Sequence, residues 1–221
     1  MTETRPGGDI PLVFTPDNEP YLGRQALLTF DQEIPFSLWV SGQIAAYTRS
    51  HREELTDLQH AACQIVPQGI NLALSIRELI RQGYLFAALV LIRPLIERAA
   101  IVSYLCDHPD AIVRWGGWRF RDRPPLSTML HSMARGIAEF EVAKDICQHY
   151  GHIVHGDPVS ADWNRIPLDD GSLGYAVGKV LNHPSLCDEL ALQAWAYLRI
   201  LVARATTCFP EVKPPGRAGV R

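Results

Sequence analysis

The sequence predicts an all-α protein, a helical bundle with a small β-hairpin inserted near residues 159–180. Three observations carry that prediction. The stretch Tyr84–Cys106, YLFAALVLIRPLIERAAIVSYLC, is apolar at 18 of its 23 positions, and its apolar residues run round every face, as in a helix packed on all sides. The segments on either side of it place apolar residues three and four apart instead of alternating them. Only between Val159 and Val180 does the period change: Trp163, Ile166 and Leu168 precede an Asp169-Asp170-Gly171 turn signal, and Leu173, Tyr175 and Val177 follow it, the pattern of a hairpin.

From the N-terminus, Pro6, Pro11, Pro16 and Pro20 with Gly7 and Gly8 make residues 1–20 a flexible arm. Residues 21–210 are expected to form a single helical domain, and residues 211–221, ending KPPGRAGVR, to fray. Phe36–Tyr47 is predicted as a short apolar helix. A longer one is expected over Arg52–Arg81, with Leu55, Leu58, Ala62, Ile65, Leu72, Ile76 and Leu79 at helical spacing, bent or broken by Pro67 and Gly69. Gln82 and Gly83 provide a tight turn into Tyr84–Cys106, so these two helices form an antiparallel hairpin. Pro94 has no N–H for the carbonyl of Val90, which predicts a kink beside Arg93. Asp107–Asp110 ends the core helix, with Pro109 at the first position of the next. Arg114–Pro125, RWGGWRFRDRPP, is too rich in Gly and Pro for one helix and reads as a connector. A helix follows from Ile137 to His155, ended by Gly156, Asp157 and Pro158. Ser185, with Asp188 three positions on, resembles a capping box that opens a last helix to Cys208.

A chain of 221 residues with 47% hydrophobic composition can bury a full core. Its formal net charge of −3 gives no global pull toward nucleic acid or an acidic membrane surface. Arg93, Glu97 and Arg98 interrupt the most apolar stretch, so it is expected not to span a membrane. The N-terminus has no basic segment followed by an apolar one, so no secretory signal is expected. Cys63, Cys106, Cys147, Cys187 and Cys208 are odd in number, distant in sequence and without a C-x-x-C pair. They read as buried thiols of a reducing cytoplasm.

Three constellations can carry chemistry. Arg93 and Glu97 are four residues apart, hence neighbours on one helix face, and share it with Phe86, Leu89, Ala100 and Tyr104. Among such neighbours they form either a buried ion pair that fixes helix register or the charged floor of a pocket, with the guanidinium holding an anion or the carboxylate acting as a base. His149, His152 and His155 recur every third residue, with Glu141 and Asp145 on the same side. That stripe is either a solvated face, the lining of a cleft with His155 at its end, or a metal site built on His149, His152 and Asp145. In the connector, Arg114, Arg119, Arg121 and Arg123 interleave with Trp115, Trp118 and Phe120. Arg119, Arg121, Arg123 and Trp118 can grip phosphates and stack on unpaired bases of RNA, or the rings can pack on the bundle while the guanidinium heads stay in water.

The pattern Ala88-x-x-Leu91-x-Arg93-x-x-x-Glu97, followed by an acidic-Pro break and later by a helix ending in Gly151-x-x-x-His155-Gly156, resembles a family of prokaryotic all-helical proteins. That family is similar to the HEPN bundles (higher-eukaryote and prokaryote nucleotide-binding), some of which are RNA-cleaving toxins or antiphage effectors. The resemblance runs from about Leu55 to Pro158. Gly151 stands where the family usually has Ser, and no histidine here has an Arg placed four to six intervening residues before it, as the ribonucleases of that group do.

Three functions follow as expectations. The first is a binding or effector module of a stress or defence system, working without a cofactor. The second is a phosphate-directed hydrolase or ribonuclease-like enzyme using Arg93, Glu97 and His155. The third is a metal-dependent helical-bundle enzyme using His149, His152 and Asp145. A stripe of Leu190, Ala194, Tyr197 and Leu201 on the terminal helix suits a homodimer.

Overall fold

The computed structural model describes residues 19–116, 123–134, 136–156, 158–175 and 183–212. Among them the elements run α1 (Gln25–Ser50), α2 (Asp57–Arg81), α3 (Leu85–Asp107), α4 (Pro109–Trp115), α5 (Leu126–Met133), α6 (Ile137–Val154), a 3-10 turn (Pro158–Asn164), β1 (Arg165–Pro167), β2 (Leu173–Tyr175) and α7 (Pro184–Cys208). The all-α bundle predicted from the sequence is the observed architecture.

Helix α3 is its axis. It packs against α2, α7, α5 and α6, and Leu85, Leu89, Ile92, Leu95, Ile96, Ala99 and Val102 are all buried, which is why its apolar residues occupy every face. Ser103, also fully buried, donates its hydroxyl to the carbonyl of Ala99 at 2.8 Å. Helix α2 reaches α3 through a Schellman turn. Gly83 takes φ 77°, its N–H bonds the carbonyl of Ile80 at 2.9 Å, and the N–H of Tyr84 bonds that of Leu79 at 2.8 Å. The expected tight turn at Gln82-Gly83 is therefore present with its hydrogen bonds.

Several boundaries differ from the sequence reading, each for a local reason. Helix α1 starts at Gln25, not Phe36, and continues through Pro35. Pro35 is exposed, on the solvent side of the helix, while Leu27, Phe30, Ile34, Val40 and Ile44 are buried at helical spacing. Pro67 is exposed in the same way, and α2 is unbroken across it. Helix α2 begins at Asp57 instead of Arg52 because Thr56 and Gln59 make a capping box: the Thr56 hydroxyl accepts from the Gln59 N–H at 3.2 Å, and the Gln59 amide oxygen from the Thr56 N–H at 3.0 Å.

Ser185 does not cap α7. His183 does, its Nδ1 accepting from the Leu186 N–H at 3.2 Å, with Pro184 at the first helical position, while Asp188 pairs with Arg24 of the opposite helix. Helix α5 is an additional element, with Met129, Leu130 and Met133 buried. The hairpin pairs Ile166 with Gly174 about a turn in which Gly171 has φ 79°. Its first strand starts only at Arg165, after the 3-10 turn, its Leu168, Leu173 and Tyr175 are exposed, and Val177 lies outside the described residues.

Glu19, placed in the arm by the sequence, is buried and ion-paired with Arg81. The rest of that arm and the tail from residue 213 lie outside the described residues. The α7 stripe proposed for a homodimer is consumed internally: Leu190, Ala194 and Leu201 are fully buried and Tyr197 nearly so, in the face that meets α1, α2 and α3. Gly69 of α2 permits that approach, since a methyl group there would collide with Cδ2 of Leu201. Among the described residues no helix is long and apolar enough to cross a membrane.

Candidate functional site

The C-terminal turn of α6 is set by Gly156. Its φ of 71°, in the left-handed region that favours glycine, turns the chain out of the helix, and its N–H bonds the carbonyl of Ile153 at 3.2 Å. His155 is thereby held at the cap, its own N–H bonded to the carbonyl of Gly151 at 3.0 Å, with its ring exposed.

Facing this turn, α3 presents Arg93 and Glu97, whose Nε and Oε1 lie 3.2 Å apart. The pair is not sealed in the core as the apolar stretch suggested. Its side chains are 20% and 18% exposed, because the helices on this side of α3 leave a cleft. Arg93 then reaches across, and its Nη1 lies 3.4 Å from Nε2 of His155. The three residues singled out on two helices thus meet as one cluster. Gly151 makes room for it: a Cβ there would stand 2.5 Å from Arg93 Nη1, so the guanidinium lies directly on the α6 backbone.

The cleft has a volume of about 540 Å³ and is lined by Arg93 of α3, by Leu126, Ser127 and Leu130 of α5, and by Lys144, Cys147, Gln148, Gly151, His152 and His155 of α6. Its α5 wall escaped the sequence reading. The available signal was the spacing of Leu126, Met129, Leu130 and Met133, one helical stripe inside a stretch too short to stand out.

The other predicted site residues are placed differently. His149 and Asp145 are exposed on α6 and do not line the cleft, whereas His152, also exposed, does. Among the described residues no group of three or more His, Cys, Asp or Glu side chains converges to hold a metal ion, so His149, His152 and Asp145 are not gathered as ligands. Arg119, Arg121 and Trp118 lie outside the described residues. Arg123 is half-buried, Arg114 exposed, and Trp115 packs against the core.

No family model, curated protein or solved structure matches the chain.

What the cleft can hold follows from its donors and acceptors. Arginine has no acceptor, so in the Arg93–His155 contact the guanidinium donates and Nε2 accepts. Those bonds occupy the Nε hydrogen and one Nη1 hydrogen of Arg93, which leaves the Nη2 amino group for a further acceptor. Lys144 adds a cation at the rim, 3.1 Å from its partner Glu141, both side chains nearly half exposed. Cys147 contributes no nucleophile: burial pushes its thiol up to about 12, with Arg93 drawing it down and Glu97 adding to the rise. Together with Leu126 and Leu130 it forms an apolar wall beside a cationic end.

Proposed function

We propose that the protein is a ligand-binding helical module whose cleft between α3, α5 and α6 takes a small molecule carrying a phosphate or carboxylate group. The observation that carries this is the arginine of the central helix, placed at a partly exposed cleft floor with His155 3.4 Å away and hydrogens to spare. An anion there would accept charge-assisted bonds from the guanidinium, with His152, His155 and Lys144 around it and Leu126 and Leu130 against the body of the ligand. A module of this kind suits the sensing or effector role in a stress or defence system that the resemblance implies.

The test is a titration of the full chain with inorganic phosphate and with phenyl phosphate, followed by NMR of the histidine rings and by calorimetry. Both should bind, and phenyl phosphate more tightly, because Leu126 and Leu130 receive its ring. Arg93→Gln should weaken both by about tenfold or more, as expected for loss of a bond to a charged group. Leu130→Ala should erase only the preference for the aromatic ester. Unperturbed histidine signals at millimolar phosphate, or equal binding by Arg93→Gln, would end the proposal.

A phosphate-directed hydrolase is the second reading, favoured by one feature. The guanidinium that would position an anion also holds the His155 imidazole 3.4 Å away, the side-chain type most often used for proton transfer. Release of phosphate from phenyl phosphate, lost in His155→Gln while binding persists, separates catalysis from binding.

A further inference from the structure

The cysteines, scattered in the sequence, are not scattered in space. Cys106 is the penultimate residue of α3 and Cys208 the last of α7, and their sulfurs lie 3.4 Å apart as free thiols. Cys106 is half-buried and Cys208 buried. Arg204, one turn before Cys208, reaches over the same spot, with its Nη1 3.4 Å from Asp107 Oδ1 and its Nη2 2.7 Å from the carbonyl of Ser132. One thiol is therefore partly accessible with a guanidinium nearby, and the second is buried beside it.

We propose that Cys106 and Cys208 are a peroxide-reactive thiol pair that closes to a disulfide, stapling the C-terminal turns of α3 and α7. The contact is already van der Waals. A disulfide at about 2.05 Å requires the sulfurs to approach by about 1.4 Å, a short movement at two helix ends.

The division of labour follows from the surroundings. The hydrogen bond from the Cys208 thiol, with Arg204 adding its charge, holds the Cys106 thiol below its ordinary range against the opposing effect of burial. The bond to Cys106 and burial push Cys208 far up. Cys106, half-buried where Cys208 is buried, is thus the thiol that attacks peroxide, reacting as its thiolate. Its sulfur takes one peroxide oxygen, the O–O bond breaks, and the departing hydroxide collects the proton that Cys106 lost, giving water and a sulfenic acid. The sulfur of Cys208 then attacks the sulfenic sulfur. The S–S bond forms, the S–O bond breaks, and hydroxide leaves with the Cys208 proton as a second water. Two thiols are oxidised and one peroxide is reduced.

The experiment treats the reduced full chain with hydrogen peroxide, alkylates it without reductant and maps its peptides by mass spectrometry. The expected result is that two of the five free thiols become blocked, in a peptide pair joining Cys106 to Cys208 that reductant releases. Cys208→Ala should stop at a sulfenic acid on Cys106 trapped by dimedone, and Cys106→Ser should leave Cys208 alkylatable after denaturation. The competitor is Cys63, close enough to Cys208 for its charge to act on that thiol. A principal link to Cys63, a link between chains, or five alkylatable thiols after a dose that oxidises free glutathione would each overturn the proposal. Because the wild-type map decides the pairing, the result does not depend on either variant folding.

Discussion

Arg93 and His155, 62 positions apart in sequence, meet with Nη1 and Nε2 3.4 Å apart. Neither residue is fully buried, and the contact spans from the central helix to the last turn of α6. It joins the arginine that interrupts the most apolar stretch of the chain to the histidine that closes a different helix, and it defines the charged end of the cleft.

Gly151 controls whether that contact exists. Alanine there would favour the helix by about 0.8–1.0 kcal/mol, and the atoms of the described residues that its methyl group would meet belong to the end of the Arg93 side chain, which can swing away. Gly151→Ala should therefore fold with unchanged or slightly raised stability in denaturant melts while losing the Arg93–His155 contact and most phosphate binding. A variant that binds phosphate as wild type does would place the anion elsewhere.

This coupling marks the limit of what the sequence discloses. The central helix was legible because burial on every side demands apolar residues on every side. Arg93 and Glu97 were legible as a pair because four residues make just over one turn, and the end of α6 because only a residue such as Gly156 takes φ 71° without strain. That Arg93 and Glu97 would meet the end of α6 was expected from the sequence only by bringing two distant motifs together; the contact itself depends on how α6 lies across α3, which no local pattern encodes. Helix α5, one wall of the cleft, has eight residues, too few for periodicity to declare itself against the Gly- and Pro-rich connector before it. The early start of α1 was missed: the helix runs through Pro35, which is exposed and leaves the buried face intact. The His183 cap was missed because a ring nitrogen did the work usually given to a hydroxyl.

Gly69 provides the opposite case to Gly151. It too lies inside a helix, but its methyl group would strike Leu201, which is fully buried between helices and has nowhere to go. Gly69→Ala should cost about 1–3 kcal/mol through overpacking, despite the better helix propensity of alanine. Paired with Leu201→Ala, which opens space, the combined loss should be smaller than the sum of the two single losses. Strict additivity in urea melts would show that α2 and α7 do not touch there.

Arg24 and Asp188 tie the start of α1 to α7 through a two-pronged bond, Nε and Nη2 to the two carboxylate oxygens. The bond from Arg24 holds Asp188 below the usual carboxylate range. A carboxyl depressed in the folded state binds fewer protons there than in the unfolded chain, so its contribution is present above the unfolded value, about 3.9, and is lost as pH falls through the folded one. Asp188→Asn should accordingly be less stable than wild type at neutral pH, and the gap should close as pH falls below the unfolded value. Urea midpoints measured across that range give the answer, and a gap independent of pH would remove the pair as its source.

The Arg93–Glu97 pair yields the sharpest division between structure and function. Were it sealed in the core, removing Arg93 alone would strand a carboxylate and cost about 3–5 kcal/mol. At 20% and 18% exposure water reaches both heads, and Arg93→Met should cost nearer 1 kcal/mol, with a coupling to Glu97→Leu of similar size in a double-mutant cycle. The two partners should then differ in binding. Arg93→Met removes the anion's donor and should abolish phosphate binding. Glu97→Gln keeps an acceptor for Nε but deletes the negative charge that competes with the ligand, and should tighten phosphate binding several-fold. Were Glu97 instead the base of a hydrolytic reaction, the same substitution would leave binding intact and stop turnover of phenyl phosphate. Calorimetry and a phosphate-release assay on Glu97→Gln therefore distinguish the two readings, and weakened binding by that variant would show that its charge, not its hydrogen bond, holds Arg93 in place.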